Sequence, residues 1–215
     1  MRAGRRLAAV VVAALTMLVG LGLPASAHPK PQPLGTRSLA TVLAKDGAGF
    51  DRNPNDFDIA DNAVAAVLKA KPGSPVGVLA DGKTPLTAFL PSDRAFTRLA
   101  HDLTGKRYRS EQSVFTDLAT TLGVDTIESV LLYHVVPGAT ITSKQALGSD
   151  GAVLQTALPG ATLTVEVRHH RVSLVDADTD ARDPRIVRFD LNRGNVQIAH
   201  GIDRVLRPVD LPGGR

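Results

Sequence analysis

The spacing of apolar residues changes near Gly138, and this change limits the folds that the chain can adopt. Before Gly138, apolar residues recur every three or four positions, which is the pattern of a helix with one buried face. After it they alternate with polar residues, as in "ATLTVEV" at 161–167, which is typical of half-buried strands. Helices in the first half and strands in the second predict an α+β fold.

Four helices are predicted in the first half, and they cover 57–71, 91–105, 110–123 and a stretch from 125 that ends at Pro137. Ser92 is the expected N-cap of the second helix and Gly105 its C-cap, and Asp93 suits the positive end of its dipole. Asp125 and Glu128 have the spacing of a capping box. Between the first two helices, "VGVLADGKTPLTAFL" at 76–90 predicts a strand, a turn and a strand.

The N-terminus has the pattern of a secretory signal peptide. "MRAGRR" is followed by a charge-free apolar run and by the small residues "ASA" at 25–27. An uncleaved membrane anchor is the alternative, although the apolar run is near the lower length for a span. We expect four segments: a signal peptide at 1–27 cleaved after Ala27, a proline-rich linker at 28–38, a single domain at 39–208 and a short tail at 209–215.

Charge and cysteine content indicate where the mature chain acts. The sequence has 25 Lys and Arg against 21 Asp and Glu, and removal of residues 1–27 takes away three arginines and no acid, which leaves a nearly neutral protein. Such a domain has no general attraction to nucleic acid. The chain has no cysteine, so its core alone must stabilise it outside the cell, and lipid attachment through cysteine is excluded. We expect a secreted, extracellular monomer without a membrane span.

Residue types used in catalysis and metal binding are present without their usual spacing. The six histidines form no HExxH or His-x-His motif. The adjacent His169 and His170 lie near the turn of a predicted hairpin, and neighbours in a strand face opposite sides. The chain also lacks a G-x-S-x-G elbow, a P-loop and a G-x-G-x-x-G loop. We therefore expect no catalytic residues, no metal site and no cofactor. A serine hydrolase using Ser92, Asp93 and either His134 or His200 is the enzymatic alternative.

Three segments resemble the signatures of the fasciclin-type domain family. "TAFLPSDRAF" at 87–96 resembles the first signature, "LLYHVVPG" at 131–138 the central Tyr-His motif, and "GNVQIAHGIDRVLRP" at 194–208 the second signature. Their order and spacing agree with the family, and a hairpin lies where the family has one. The resemblance covers 39–208 and implies a wedge of two β-sheets flanked by several short helices. The matching motif residues are Thr87, Ser92, Asp93, His134, His200 and Asp203.

The resemblance also implies a function. Family members act as extracellular adhesion or interaction modules, so the expected partner is an extracellular protein or a cell-envelope component. In animal members, partner contact has been assigned to the Tyr-His region and to an Asp-Ile pair before the second signature, which match Tyr133, His134, Asp190 and Leu191 here. An extra residue between Gly194-Asn195 and the signature histidine predicts a bulge or a shifted turn. A cleft between the sheets that holds a small apolar ligand or a glycan is the binding alternative.

His134 lies in an otherwise apolar stretch, and a buried imidazole needs a hydrogen-bond partner for each desolvated ring nitrogen. The first signature offers hydroxyls at Thr87 and Ser92 and a carboxylate at Asp93. We expect His134 to hydrogen-bond within that segment and to join the helices to the sheet. Direct contact with a partner, catalysis and metal binding are the alternatives. Tyr133 could point inward with His134 or outward toward a partner.

Overall fold

A computed structural model describes residues 32–46 and 49–210 of the 215-residue chain. The predicted signal peptide, the first part of the predicted linker and most of the predicted tail lie outside these residues. Within the described ranges, none of the helices combines the length and the apolar character that a membrane crossing requires.

The helices lie mainly in the first half of the chain, as predicted. Their bounds are Leu39–Leu43 for α1, Asp58–Ala70 for α2, Asp93–Thr104 for α3, Glu111–Tyr133 for α4 and Ser143–Leu147 for α5. Two short 3-10 helices cover Ala44–Asp46 and Pro75–Ala80. The predicted third and fourth helices are joined in α4, which is interrupted at Gly123, where φ is 72° and ψ is 165°. Only glycine adopts this conformation readily, so it marks the change of helix direction.

The strands in the described residues form two sheets. Their bounds are Leu86–Pro91 for β1, Val135–Pro137 for β2, Val153–Gln155 for β3, Thr162–Arg168 for β4, Arg171–Val175 for β5, Ile186–Leu191 for β6 and Gln197–Ile202 for β7. The first sheet has the order β2-β1-β7-β6 and the second the order β3-β4-β5. Two sheets with helices packed against them confirm the predicted α+β class.

The centre of the first sheet is the parallel pair β1 and β7, in register from Leu86 opposite Gln197 to Pro91 opposite Ile202. Every residue of both strands is buried, as is usual for parallel strands covered on both faces. Leu86, Ala88 and Leu90 pack among residues of the helices, whereas Phe89 packs among residues of the second sheet. The pair is therefore enclosed between the helical layer and the second sheet.

The predicted strand at 76–80 is wrong, because Pro75–Ala80 forms a 3-10 helix. The Ser74 hydroxyl accepts a hydrogen bond from the Val76 N–H, and Pro75 suits the first helical position. Periodicity does not distinguish a helical turn from a strand in so short an apolar run. The predicted second strand of that segment is present as β1.

The observed helix ends match the predicted ones in part. Gly105 has the left-handed conformation of a C-cap, as predicted. Ser92 lies at the N-cap position of α3, but its hydroxyl makes no capping hydrogen bond. The Asp125 and Glu128 side chains both contact the Lys71 ammonium, so an ion-pair cluster is found where a capping box was predicted.

Gln197 is a fully buried polar residue that connects the sheet to the start of the domain. Its side-chain nitrogen donates to the carbonyls of Val78 at 2.8 Å and Asp81 at 2.7 Å, and its oxygen accepts from the Leu39 N–H at 2.8 Å. The Leu39 N–H lies at the start of α1 and has no partner within that helix, whereas the two carbonyls also accept from the N–H groups of Asp81 and Thr84. Gln197 therefore holds α1 and the second 3-10 helix against β7.

We expect Gln197→Leu to lower the free energy of unfolding by roughly 1–3 kcal/mol, because it leaves the buried Leu39 N–H without a partner and removes a donor from two carbonyls. Urea unfolding of the mature chain, followed by circular dichroism, measures the change. Gln112→Leu is the matched control, since Gln112 is exposed on α4 and its replacement should change stability by less than about 0.5 kcal/mol. Equal stability of the two variants would contradict this role of Gln197.

Candidate functional site

The Tyr-His motif lies where α4 ends and β2 begins. Tyr133 is 0% exposed and packs among apolar residues of the second sheet. Its hydroxyl donates to the Thr162 carbonyl at the start of β4, at 2.9 Å. Burial raises the pKa of Tyr133 to about 12, and the nearby Asp176 carboxylate adds to the effect. Tyr133 therefore points inward and joins α4 to the second sheet.

His134 is also buried, with 4% of its surface exposed. Its Nδ1–H donates to the Val130 carbonyl at 2.7 Å, and its Nε2 accepts from the Leu206 N–H at 2.9 Å. These two contacts assign a neutral ring with its proton on Nδ1. Burial lowers the pKa of His134 to about 4, although the hydrogen bond to Val130 acts in the opposite direction.

The hydrogen bonds of His134 correct one expectation. Its ring does not bond Thr87, Ser92 or Asp93, because both ring nitrogens are occupied by backbone groups of α4 and of the second signature. Only the backbone of His134 reaches the first signature, where its carbonyl accepts from the Phe89 N–H at 2.9 Å. The residue does join the helices to the sheet, but through partners that differ from those expected.

The first-signature side chains bond segments other than their own. The Thr87 hydroxyl donates to the Ala139 carbonyl at 2.7 Å and accepts from the Ile141 N–H at 2.8 Å, which holds the loop after β2. The Asp93 carboxylate accepts from the N–H groups of Asp58 and Ile59 at 3.2 and 2.8 Å. Asp93 therefore caps the start of α2, and it also lies in the first turn of its own helix, as the sequence predicted.

The second signature connects β7 to its neighbours through His200 and Asp203. The buried His200 ring accepts from the Asp190 N–H at Nδ1 and donates from Nε2 to the Ile141 carbonyl at 2.8 Å. Burial lowers the pKa of His200. The Asp203 carboxylate accepts from the Arg185 N–H at 2.8 Å, and its own N–H donates to the Arg185 carbonyl at 3.1 Å. This pair of hydrogen bonds fixes the backbone just before β6.

Asp190 and Leu191, the other two positions matched to family contacts, end strand β6. The Asp190 carboxylate accepts from both the N–H and the hydroxyl of Ser143, at 2.7 and 2.6 Å. Leu191 is half-buried and packs against the apolar cluster of the helical layer. The register of β6 shifts twice before Leu191, and Asp190 and Asn192 have positive φ. The bulge or shifted turn that the sequence predicted therefore lies a few residues before Gly194-Asn195.

The serine-hydrolase alternative would need a general base beside Ser92, and the geometry provides none among the described residues. Ser92 makes no side-chain hydrogen bond to a histidine within the described residues, and both ring nitrogens of His134 and His200 are engaged elsewhere. A general base must be within hydrogen-bond reach of its nucleophile.

The space between the sheets is too small for the alternative of a cleft-bound ligand. A cavity there, beside Phe89 and Leu174, has a volume of about 10 Å³. A second apolar cavity lies between the helices and β1, beside His134, and has a volume of about 50 Å³. Small-molecule sites usually measure hundreds of Å³. Both cavities are therefore gaps in the core.

An open groove on the second sheet is the larger concave surface, with a volume of about 540 Å³. We call it the arginine groove, because Arg168, Arg171 and Arg185 line it together with His169 and two acids. Arg168 and Arg171 are opposite each other across the β4–β5 turn, and the turn residues His169 and His170 both have positive φ. Like charges in this position destabilise a hairpin. The sequence pattern predicted the two histidines near this turn but gave no sign of the groove.

The charges of the groove are only partly paired. Arg168, whose side chain is 75% exposed, bonds Glu166 at 2.6 Å. In the described part of the chain, neither Arg171 nor Arg185 forms an ion pair with a carboxylate. Asp203 positions the Arg185 backbone, so a residue of the second signature helps to form the groove.

A sequence model of the fasciclin domain matches residues 62–208. No curated protein matches the chain. Among solved structures, a FAS1 domain pair from the insect cell adhesion molecule Fasciclin I is similar, with 17% sequence identity and a TM-score of 0.49. The match covers 72% of this chain and 48% of that one, so this chain spans about half the length of the solved protein.

We expect acid to destabilise the protein through His134. In the unfolded chain the ring takes up a proton near its ordinary pKa of 6.5, whereas the folded ring does so only near pH 4. The stabilisation is therefore fully present above pH 6.5 and is lost as the pH falls toward 4, by on the order of 3 kcal/mol. Urea unfolding of the mature chain and of His134→Gln, from pH 7 to pH 4, measures this difference.

Glutamine offers a donor and an acceptor but does not titrate, so the pH dependence of all other groups cancels between the two proteins. The exposed His101, changed to glutamine, serves as the control for the removal of a histidine at the surface. The same pH dependence in wild type and His134→Gln would contradict the buried, neutral state of His134.

Proposed function

The chain belongs to the fasciclin domain family, as its three signatures predicted, and from this premise we propose that it binds an extracellular protein or a cell-envelope component without catalysing a reaction. Domains of this family occur in adhesion-type proteins, mediate protein interactions and are generally non-enzymatic. We further propose that the chain is secreted after cleavage at Ala27 and acts as a monomer, with residues 39–208 as its binding domain.

The arginine groove is the observation that supports a binding surface. Two arginines face each other across a tight turn, and the destabilisation that this causes is relieved if an acidic partner neutralises them. The second sheet packs against the core and keeps the groove in a fixed position, so little ordering is needed on binding. We propose that the partner presents carboxylate or phosphate groups, which arginine recognises well.

The four positions matched to family contacts have different roles in this proposal. Tyr133 and His134 are buried, and a partner could contact them only if α4 moved away from the sheets. Asp190 and Leu191 are partly exposed and belong to β6, which follows directly on Arg185. We propose that Asp190 and Leu191 form an edge of the binding surface, whereas Tyr133 and His134 stabilise the fold.

We expect the double variant Arg168→Ala/Arg171→Ala to lose at least about tenfold in affinity for the partner and most of the salt dependence of binding. Binding is measured with the mature chain against cell-envelope and culture-medium fractions of the source organism, and against polyglutamate as a defined acidic probe. Arg107→Ala/Arg109→Ala is the matched control, because it removes the same charge from exposed positions elsewhere. Equal loss in both variants, or no binding by the wild type, would contradict the proposal.

We expect Tyr133→Phe to lower the free energy of unfolding by about 1 kcal/mol, because it removes the hydrogen bond to Thr162 and little else. Its affinity for the same fractions should equal that of the wild type. Asp190→Asn should weaken binding if β6 contributes to the surface. Loss of binding by Tyr133→Phe at unchanged stability would show that the tyrosine contacts the partner directly.

A further inference from the structure

Three buried carboxylates meet where α2, α3 and α4 begin. Asp56 lies just before α2, Asp93 is the first residue of α3, and Glu111 is the first residue of α4; they are 7%, 0% and 7% exposed. One carboxylate oxygen of each lies within 4.8 Å of the other two. Asp51 and Asp58 form a second such group with Asp56. We call these five residues the acidic cluster, and we propose that Asp56, Asp93 and Glu111 bind a calcium ion in it.

Two of the buried carboxylates have protein partners that account for their position. Asp93 accepts from two N–H groups at the start of α2, and Glu111 accepts from the Asp51 N–H at 2.8 Å. The positive ends of the helices also favour negative charge here. Helix capping therefore explains Asp93 and Glu111 without a ligand.

Asp56 has no such explanation. Its Oδ1 is buried and has no hydrogen-bond partner within the described residues. A buried carboxylate oxygen without a donor or a cation is strongly unfavourable. A cation held between Asp56, Asp93 and Glu111 would supply the missing partner.

The carboxylates of Asp56, Asp93 and Glu111 lie close together. Burial raises the pKa of Asp93 and of Glu111, and the Asp56 carboxyl raises both further. In the part of the chain that the structure describes, none of the three forms an ion pair with lysine or arginine. A divalent cation would neutralise charges that the protein brings together from three helix starts.

The chemistry of the acidic cluster favours calcium. Its ligands are all carboxylate oxygens, which hard cations prefer, and it contains no histidine or cysteine that would favour zinc. Calcium accepts six to eight oxygens in irregular geometry, whereas magnesium requires a near-ideal octahedron and retains several waters. In the loop "DRNPNDFD" at 51–58, the first, third and fifth residues are Asp51, Asn53 and Asn55, which are residue types found at the first ligand positions of calcium loops. Those loops have glycine at the sixth position, where this loop has Asp56.

A proton shared between two acids is the competing explanation. The Asp56 and Asp93 carboxyls are within hydrogen-bond reach, and such a contact is attractive only when one of them is protonated. This explanation predicts that divalent cations leave the protein unchanged. The two possibilities therefore differ in a direct binding measurement.

The test uses the mature chain, freed of metal with a chelator and titrated with CaCl2 or MgCl2 in a calorimeter and in thermal unfolding. We expect one calcium ion per chain, and a rise in Tm of roughly 5–10 °C at a calcium concentration 100-fold above Kd. Asp56→Asn should reduce calcium affinity at least tenfold, which reduces the rise in Tm at the same calcium concentration to about half or less. In metal-free buffer the same variant should be at least as stable as the wild type, since it relieves repulsion within the acidic cluster.

Asp125→Asn is the matched control, because it removes one exposed carboxylate and should leave calcium binding unchanged. Glu111→Gln keeps the acceptor for the Asp51 N–H and provides a second, conservative variant of the site. Absence of a calcium effect, with higher stability of Asp56→Asn, would overturn the proposal in favour of a shared proton. A response to magnesium alone would overturn the assignment to calcium, and unchanged calcium binding by both cluster variants would place the ion elsewhere.

Discussion

The parallel pairing of β1 with β7 is the interaction on which the rest of the fold depends. Both strands are buried along their whole length, so every polar group beside them must find a partner inside the protein. Thr87, Gln197 and His200 provide these partners for loops and helix starts that come from distant parts of the chain. The signature residues of the family therefore act here first as hydrogen-bonding groups that fix segments around the central strands.

The Tyr-His motif extends this arrangement to the other layers. Tyr133 joins α4 to the second sheet through Thr162, while His134 joins α4 to the segment after β7 through Leu206. Neighbouring residues at the end of one helix thus hold two different parts of the molecule. Because both side chains lack solvent exposure, the proposed partner surface lies on β4–β5 and at the end of β6.

Charged residues are separated into two regions with different roles. Arginines project from the tight turn of the second sheet, where a partner can approach them. Acids gather at the starts of the three long helices, where Asp56, Asp93 and Glu111 are buried within reach of one another. Binding of calcium at the acidic cluster would stabilise the helical layer, whereas neutralisation of the arginine groove would stabilise a complex. The two proposals rest on separate residues and can fail separately.

The sequence was enough to predict the α+β class, the hairpin with His169 and His170 near its turn, and the helix end at Gly105, because local periodicity and backbone preference decide these features. It did not predict the 3-10 helix at 75–80, since that apolar run is too short to show a period. Tertiary structure alone decided that Asp93 caps α2, that the His134 ring bonds Leu206, and that Asp56 meets Glu111. Each of these contacts joins residues from separate elements, and only the packing of those elements brings the partners together.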